Sequence, residues 1–277
     1  MFKALEAGSP QEQIADTAAK RAANIAKRKD IFVGTNMYPN LKETRLEPTV
    51  VDTQALQAER TAALNRYRAG TDASQKQAAL DVLIQAGSNH VDAAIRAALA
   101  GATLSDIAQA ARTGAKASPT ITPICAQRGA QAFEALREAA EAYVARVGQR
   151  PQVFLATMGP LTQHKGRADF ATAFLAVGGI ETIYPAGFTT ADEAAEAALA
   201  AGTPAVVICS TDPTYPELVP PLVQKLKQAN PSLIVLLAGY PTDHVEAFKA
   251  AGVDDFIHLN ANCQALLSTL QKKMGVA

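Results

Sequence analysis

Tryptophan is absent from these 277 residues, and aromatic side chains make up only 5%. The apolar share of 48% is carried instead by aliphatic residues and alanine-rich helical stretches, within the ordinary range for a globular protein. There is no excess of charge. Lys plus Arg and Asp plus Glu are 26 each, so no global field draws the chain to nucleic acid or to an acidic membrane surface. Cysteine is sparse too. Cys125, Cys209 and Cys263 lie far apart with no Cys-x-x-Cys spacing, which argues against a disulfide scaffold and for buried, reduced thiols in a reducing cytoplasm. No run approaches the ~18 uncharged apolar residues of a membrane span. The first twenty residues lack the apolar core of a signal peptide. No GxxxxGK[ST] or GxGxxG stretch follows a strand-like run. The four histidines, His90, His164, His244 and His258, are scattered, and no acid–base pair is visible among them.

What is present falls into three zones. Residues 1–50 open with Ser9-Pro10, a good cap and first-turn pair, followed by Ile14, Ala18, Ala22 and Ile25 at helical spacing. The cluster Lys27, Arg28 and Lys29 suits the negative end of that helix. A short strand-like run, Ile31 to Val33, then gives way to Gly34, Pro39 and Asn40 and an extended connector ending near Pro48. Residues 51–148 are helical by pattern. Gly70, Gly87, Gly101 and Gly114 each sit just past a helical run, as C-terminal caps do. "TLSDIAQAARTG" opens on a cap-like Thr-x-x-Asp, the stretch 114–124 is a linker, and a long helix spans about 128–147.

Residues 149–277 are the most legible. Five short apolar runs, "QVFLATM", "IETIY", "PAVVICS", "SLIVLLA" and "DDFIHL", alternate with helical segments at about 167–177, 189–201, 214–229, 242–251 and 261–273. Strand alternating with helix five times predicts an α/β domain, a five-stranded doubly wound parallel sheet of flavodoxin-like type. Ligands of such sheets bind beyond the carboxyl ends of the strands, here the loops 158–167, 209–214, 238–242 and 258–262.

Three stretches resemble one family. "KRKDIFVGTNMYPN" resembles the segment that follows the catalytic barrel of methylmalonyl-CoA mutases and related acyl-CoA mutases. "ALDVLIQAGSNHVDAAIRAALAGATLSDIAQAAR" is similar to the helical linker after it. "RPQVFLATMG" through "FKAAGVDDFIHL" is similar to the carboxyl-terminal cobalamin-binding domain. The barrel itself has no counterpart in these residues. In catalytic members an Asp-x-His-x-x-Gly loop ligates cobalt through its histidine, and the aspartate orients that ring. Aligned without gaps on Met158-Gly159, the aspartate position falls on Leu161 and the histidine position on Gln163, while Gly166 matches the last glycine. His164 is an off-register candidate one residue late. The family's Ser-x-Leu lands on Cys209 to Thr211, its glycine pair on Leu237 and Ala238, and its last glycine-rich turn on residues 259–262, "LNAN".

Four cofactor elements missing together imply a degenerate cobalamin site. The resemblance therefore points to the small, non-catalytic subunit of a heterodimeric methylmalonyl-CoA mutase. It implies no catalytic residue and no metal in this chain, no bound cofactor, and a catalytic large subunit as partner in an isomerase. The competing expectation is a domain that carries adenosylcobalamin and works in trans with a mutase barrel.

Overall fold

In a computed structural model of the chain, the described residues are 2–43, 46, 49–86, 90–114 and 120–277. Pro48, Gly87 and residues 115–119 of the expected linker lie outside them. The chain forms two compact units: residues 3–43 together with 122–277, and residues 44–121. Among the described residues no helix is long and apolar enough to cross a membrane.

The chain begins with α1 (Phe2–Glu6) and α2 (Ser9–Ala26). The basic cluster that follows does more than end a helix. Arg28 turns into the left-handed region at φ 57° and is 8% exposed. Its guanidinium lies over the rings of Phe170 (5.1 Å) and Phe174 (4.7 Å), a desolvated cation–π arrangement. The strand expected at 31–33 is instead a turn, in which Val33 makes only an isolated bridge to Met37. A buried side chain organises it. The Asn36 amide donates to the carbonyls of Ile25 (3.1 Å) and Asp30 (2.9 Å) and accepts from the Phe32 N–H (2.7 Å).

The unit of residues 44–121 holds α3 (Thr53–Ala69), α4 (Ala73–Gln85), α5 (His90–Leu99) and α6 (Leu104–Ala111). Leu80, Leu83, Ala93, Ala97, Ala102 and Ala110 form its small core, whereas α3 buries no side chain. Thr103 and Asp106 form the capping box that Thr-x-x-Asp announces.

In the other unit α7 (Gln131–Val147) precedes the sheet. The order is then β1 (Gln152–Thr157), α8 (Leu161–Val177), β2 (Glu181–Ile183), α9 (Ala191–Ala200), β3 (Ala205–Cys209), α10 (Tyr215–Ala229), β4 (Ile234–Ala238), α11 (Val245–Ala251), β5 (Asp255–Ile257) and α12 (Cys263–Lys273). All pairings are parallel, in the order β2-β1-β3-β4-β5. This is the flavodoxin-like order that the alternating pattern predicts. β3 and β4 are buried at every residue because helices cover both faces. On one face Val153, Leu155, Val207 and Leu236 pack with Phe133, Phe174 and Leu267 from α7, α8 and α12. On the other, Phe154, Ile208, Val235 and Leu237 pack with Ala194, Leu222 and Phe248 from α9, α10 and α11. Cys209 and Cys263 are buried as expected, but Cys125 is exposed, because it lies in the extended stretch before α7 rather than in a core element.

Candidate functional site

A doubly wound sheet offers its ligand crevice where the strand order reverses, here between the carboxyl ends of β1 and β3. In this chain, backbone and side-chain hydrogen bonds close that crevice. Beyond β1, the Met158 N–H donates to the Cys209 carbonyl at 2.8 Å, and the Ser210 hydroxyl donates to the Met158 carbonyl at 3.2 Å. Thr214 donates to the Ser210 hydroxyl at 2.8 Å. Met158 itself is fully buried.

On the β2 side the segment 185–188 runs along the extension of β1. Phe188 N–H donates to Thr157 O (2.7 Å), Gly159 N–H donates to Phe188 O (2.8 Å), and the Thr157 hydroxyl donates to Ala186 O (3.1 Å). On the β4 side, one guanidinium nitrogen of Arg167 bonds both oxygens of Asp212, at 2.9 and 3.0 Å. That pair lies across Gly239. The backbone there has φ +143°, and a Cβ would stand 2.8 Å from the Arg167 guanidinium. Solvent reaches both partners, so the ion pair adds little stability, but it occupies the space above the strand end.

Tyr215 secures the edge from below. Its buried hydroxyl accepts from the Ser210 N–H (3.0 Å) and donates to the Ala238 carbonyl (2.6 Å). Burial raises its pKa well above the ordinary phenol value, so it remains a neutral donor. Burial does the same to the Cys209 thiol, which is therefore no nucleophile at neutral pH. Removing the hydroxyl in Tyr215→Phe leaves the Ser210 N–H and the Ala238 carbonyl without that partner. The expected cost is about 2 kcal/mol, read as a lower urea midpoint with an unchanged slope.

The stretch read from sequence as a loop through residue 167 is helical from Leu161, with Pro160 at the cap position. His164 is consequently no exposed loop residue. It is 2% exposed, because the fourth position of α8 faces the segment 185–188. Its Nδ1 lies 3.0 Å from the Gly159 carbonyl, an acceptor, which puts the hydrogen on Nδ1. Its Cε1 lies 2.7 Å from where a Cβ at Gly187 would stand.

The other cofactor positions are dispersed. Leu161 is 61% exposed at the first turn of α8, Gln163 turns back over Gly159, and Gly166 faces open space. Thr211 precedes the single 3₁₀ turn that leads into α10. Leu237 and Ala238 point into opposite cores instead of standing at the edge. What fills the space there is Arg167 with Asp212, a pair 45 positions apart in sequence. In the last turn, Asn262 caps α12 by accepting from Ala265 N–H (3.0 Å). Next to it His258 stacks on Tyr240 at 4.6 Å between centroids, and burial lowers its pKa.

A cobalt-ligating imidazole needs an open hemisphere before its free nitrogen, and a corrin needs a clear face above the strand ends. The residues present do not fit that group. The imidazole is enclosed, and the face is crossed by the segment 185–188 and by the Arg167–Asp212 pair. Among the described residues no group of three or more His, Cys, Asp or Glu could hold a metal ion.

Residues 1–117 match the family model described as methylmalonyl-CoA mutase. A methylmalonyl-CoA mutase of Cereibacter sphaeroides is 30% identical over 265 residues, covering 91% of this chain and 37% of that protein. A probable methylmalonyl-CoA mutase small subunit of Mycobacterium tuberculosis H37Rv is 31% identical over 264 residues, covering 95% of this chain and 31% of that protein. The chain thus spans about a third of the length of these curated relatives. A solved cobalamin-binding protein from Desulfitobacterium hafniense DCB-2 aligns at 16% identity with a TM-score of 0.37, over 72% of this chain and 98% of that one. That likeness is too loose to equate residues.

Proposed function

The chain is a relative of the methylmalonyl-CoA mutase family, and from that premise we propose that it is a small-subunit-like, non-catalytic module that pairs with and stabilises a catalytic large subunit. Its cobalamin-like domain serves as a folded scaffold and holds no cobalamin. The observation that carries this reading is the closed carboxyl edge of the sheet: Ser210 bonded to Met158, the segment 185–188 bonded to β1, and Arg167 paired with Asp212 across Gly239. Such an edge costs the protein its ligand crevice but leaves its outer surfaces available for packing against a partner.

One feature favours a second reading, a cobalamin carrier acting in trans. With Nδ1 tied to a backbone carbonyl, Nε2 of His164 is left with its lone pair, as in metal-bound histidines. The two readings separate in one experiment. The protein is mixed with hydroxocobalamin or adenosylcobalamin, desalted, and its visible spectrum recorded. The expected result is no retained chromophore. The double variant Leu161→Asp with Gln163→His is expected to retain none either, because new ligands do not clear the edge. Retention by the native chain would establish the carrier reading. For the pairing itself, co-elution with a mutase large subunit on a sizing column is expected, and independent elution across micromolar concentrations would rule it out.

A further inference from the structure

In the unit of residues 44–121, α5 has two apolar sides and uses one of them. Ala93 and Ala97 face the small core. On the opposite side stand Val91, Ile95 and Leu99, spaced four apart and so aligned in one stripe. They are 75%, 53% and 84% exposed. At the end of the helix the Ala102 N–H donates to the Ala97 carbonyl (2.9 Å) and turns the chain back. There Leu104, the first residue of α6, is 83% exposed. Single exposed leucines are ordinary on a protein surface, but a continuous row of large aliphatic side chains marks an interaction site.

The two flanks of the stripe differ. By helical rotation Ala94 and Ala98 border it on one side, and Asp92 and Arg96 on the other. Asp92 and Arg96 are ion-paired within the helix at 3.0 Å, both largely in solvent, so that pair adds little to the single chain. We propose that α5 is a self-association helix, which packs antiparallel against α5 of a second copy about a twofold axis at Ile95. In an antiparallel pair like flanks meet. The alanine flanks then let the helices approach closely, and each Asp92 lies beside Arg96 of the second copy. A parallel pair would set the charged flank against alanines and leave those charges without new partners. Area supports the same occupant. The four exposed side chains amount to about 300 Å² of apolar surface per copy, at roughly 100 Å² for a whole aliphatic side chain. Interfaces are about 60% apolar, so two copies bury about 1,000 Å² in all, the lower bound of a specific contact. An interface of that size predicts association in the micromolar range. A membrane surface suits the stripe less well, because its polar flank balances its one base with an acid. The inference stands apart from the cobalamin question and from pairing with a large subunit.

The test is sedimentation equilibrium of the chain alone across the micromolar range. The mass should rise from the 29.0 kDa of one chain toward twice that value. Ile95→Glu sets two carboxylates against each other at the axis and should raise the dissociation constant about a hundredfold. Ile95 is exposed in the single chain and Glu is the better helix former, so the circular dichroism should stay native. Asp92→Arg brings like charges together and should weaken association about fivefold, and adding Arg96→Asp should restore it. This charge exchange decides the matter if Ile95→Glu fails to fold. The proposal is overturned if the native chain remains at 29.0 kDa throughout, as it would if the stripe served only a different protein. It is equally overturned if folded Ile95→Glu associates as the native chain does, if Asp92→Arg has no effect, or if the exchanged pair does not recover.

Discussion

Gly187→Ala is expected to destabilise the unit of residues 3–43 and 122–277 by about 3 kcal/mol, the upper part of the range for overpacking a closed site. The φ of Gly187 is not in the left-handed region, so the cost is steric. The new methyl group would be pressed against the Gly159 backbone carbonyl and would stand 2.7 Å from His164 Cε1. Neither neighbour can give way cheaply. Gly159 is held by its N–H bond to Phe188 (2.8 Å), and the imidazole is held by that same Gly159 carbonyl (3.0 Å). Chemical denaturation with an unchanged slope would register the loss as a lower midpoint. A change under about 1 kcal/mol would mean that the segment 185–188 can lift from β1 at small cost. The edge would then be closed only in its resting state, which bears directly on the scaffold reading. The same variant should still emerge colourless from the cobalamin experiment, since Arg167 and Asp212 continue to cross Gly239.

The sheet was legible because its strands are buried on both faces and therefore read as unbroken apolar runs, "AVVIC" and "IVLLA" above all. Their alternation with helices left few topologies to consider. The first turns of α8 were not legible in the same way. Gly159-Pro160 and Gly166 look like breaks, and the polar run between them looks like a loop. Yet His164, Ala168, Ala171 and Leu175 recur at helical spacing and are all buried, whereas Gly166 lies on the solvent side of the helix, where it interrupts nothing. The identity of the closing groups was beyond reach for a different reason. Arg167 and Asp212 are 45 residues apart, and Ser210 and Met158 are 52 apart. Only the fold brings them together. The residue-by-residue alignment puts Leu237 and Ala238 where the family has its glycine pair, but their side chains point into the two cores, so it does not name the groups that stand above the strand ends.

Asn36→Ala is expected to cost about 3 kcal/mol as well, since it leaves three backbone groups at a buried turn without their partner. The side chain is fully buried and holds the Ile25 and Asp30 carbonyls and the Phe32 N–H. Those bonds shape the path from the end of α2 to the stretch whose carbonyls, at Gly34 and Leu41, receive Arg137 and Arg150. They also position Ile25 and Phe32 against the core shared by α7, α8 and α12. Thermal unfolding followed by circular dichroism should fall by roughly 6–12 °C, the shift such a loss produces in a unit of this size. Asn36→Asp sharpens the expectation. The carboxylate could still accept from Phe32 N–H, but it would turn a negative charge toward two carbonyl oxygens it cannot donate to, so it should destabilise at least as much as alanine at pH 7. Lowering the pH should then recover part of the loss, because the protonated acid regains one donor. If Asn36→Asp were as stable as the native chain at neutral pH, the side chain could not be supplying those two donors, and the turn would owe its shape to the backbone bonds from Thr35 N–H and Asn36 N–H to Phe32 O instead.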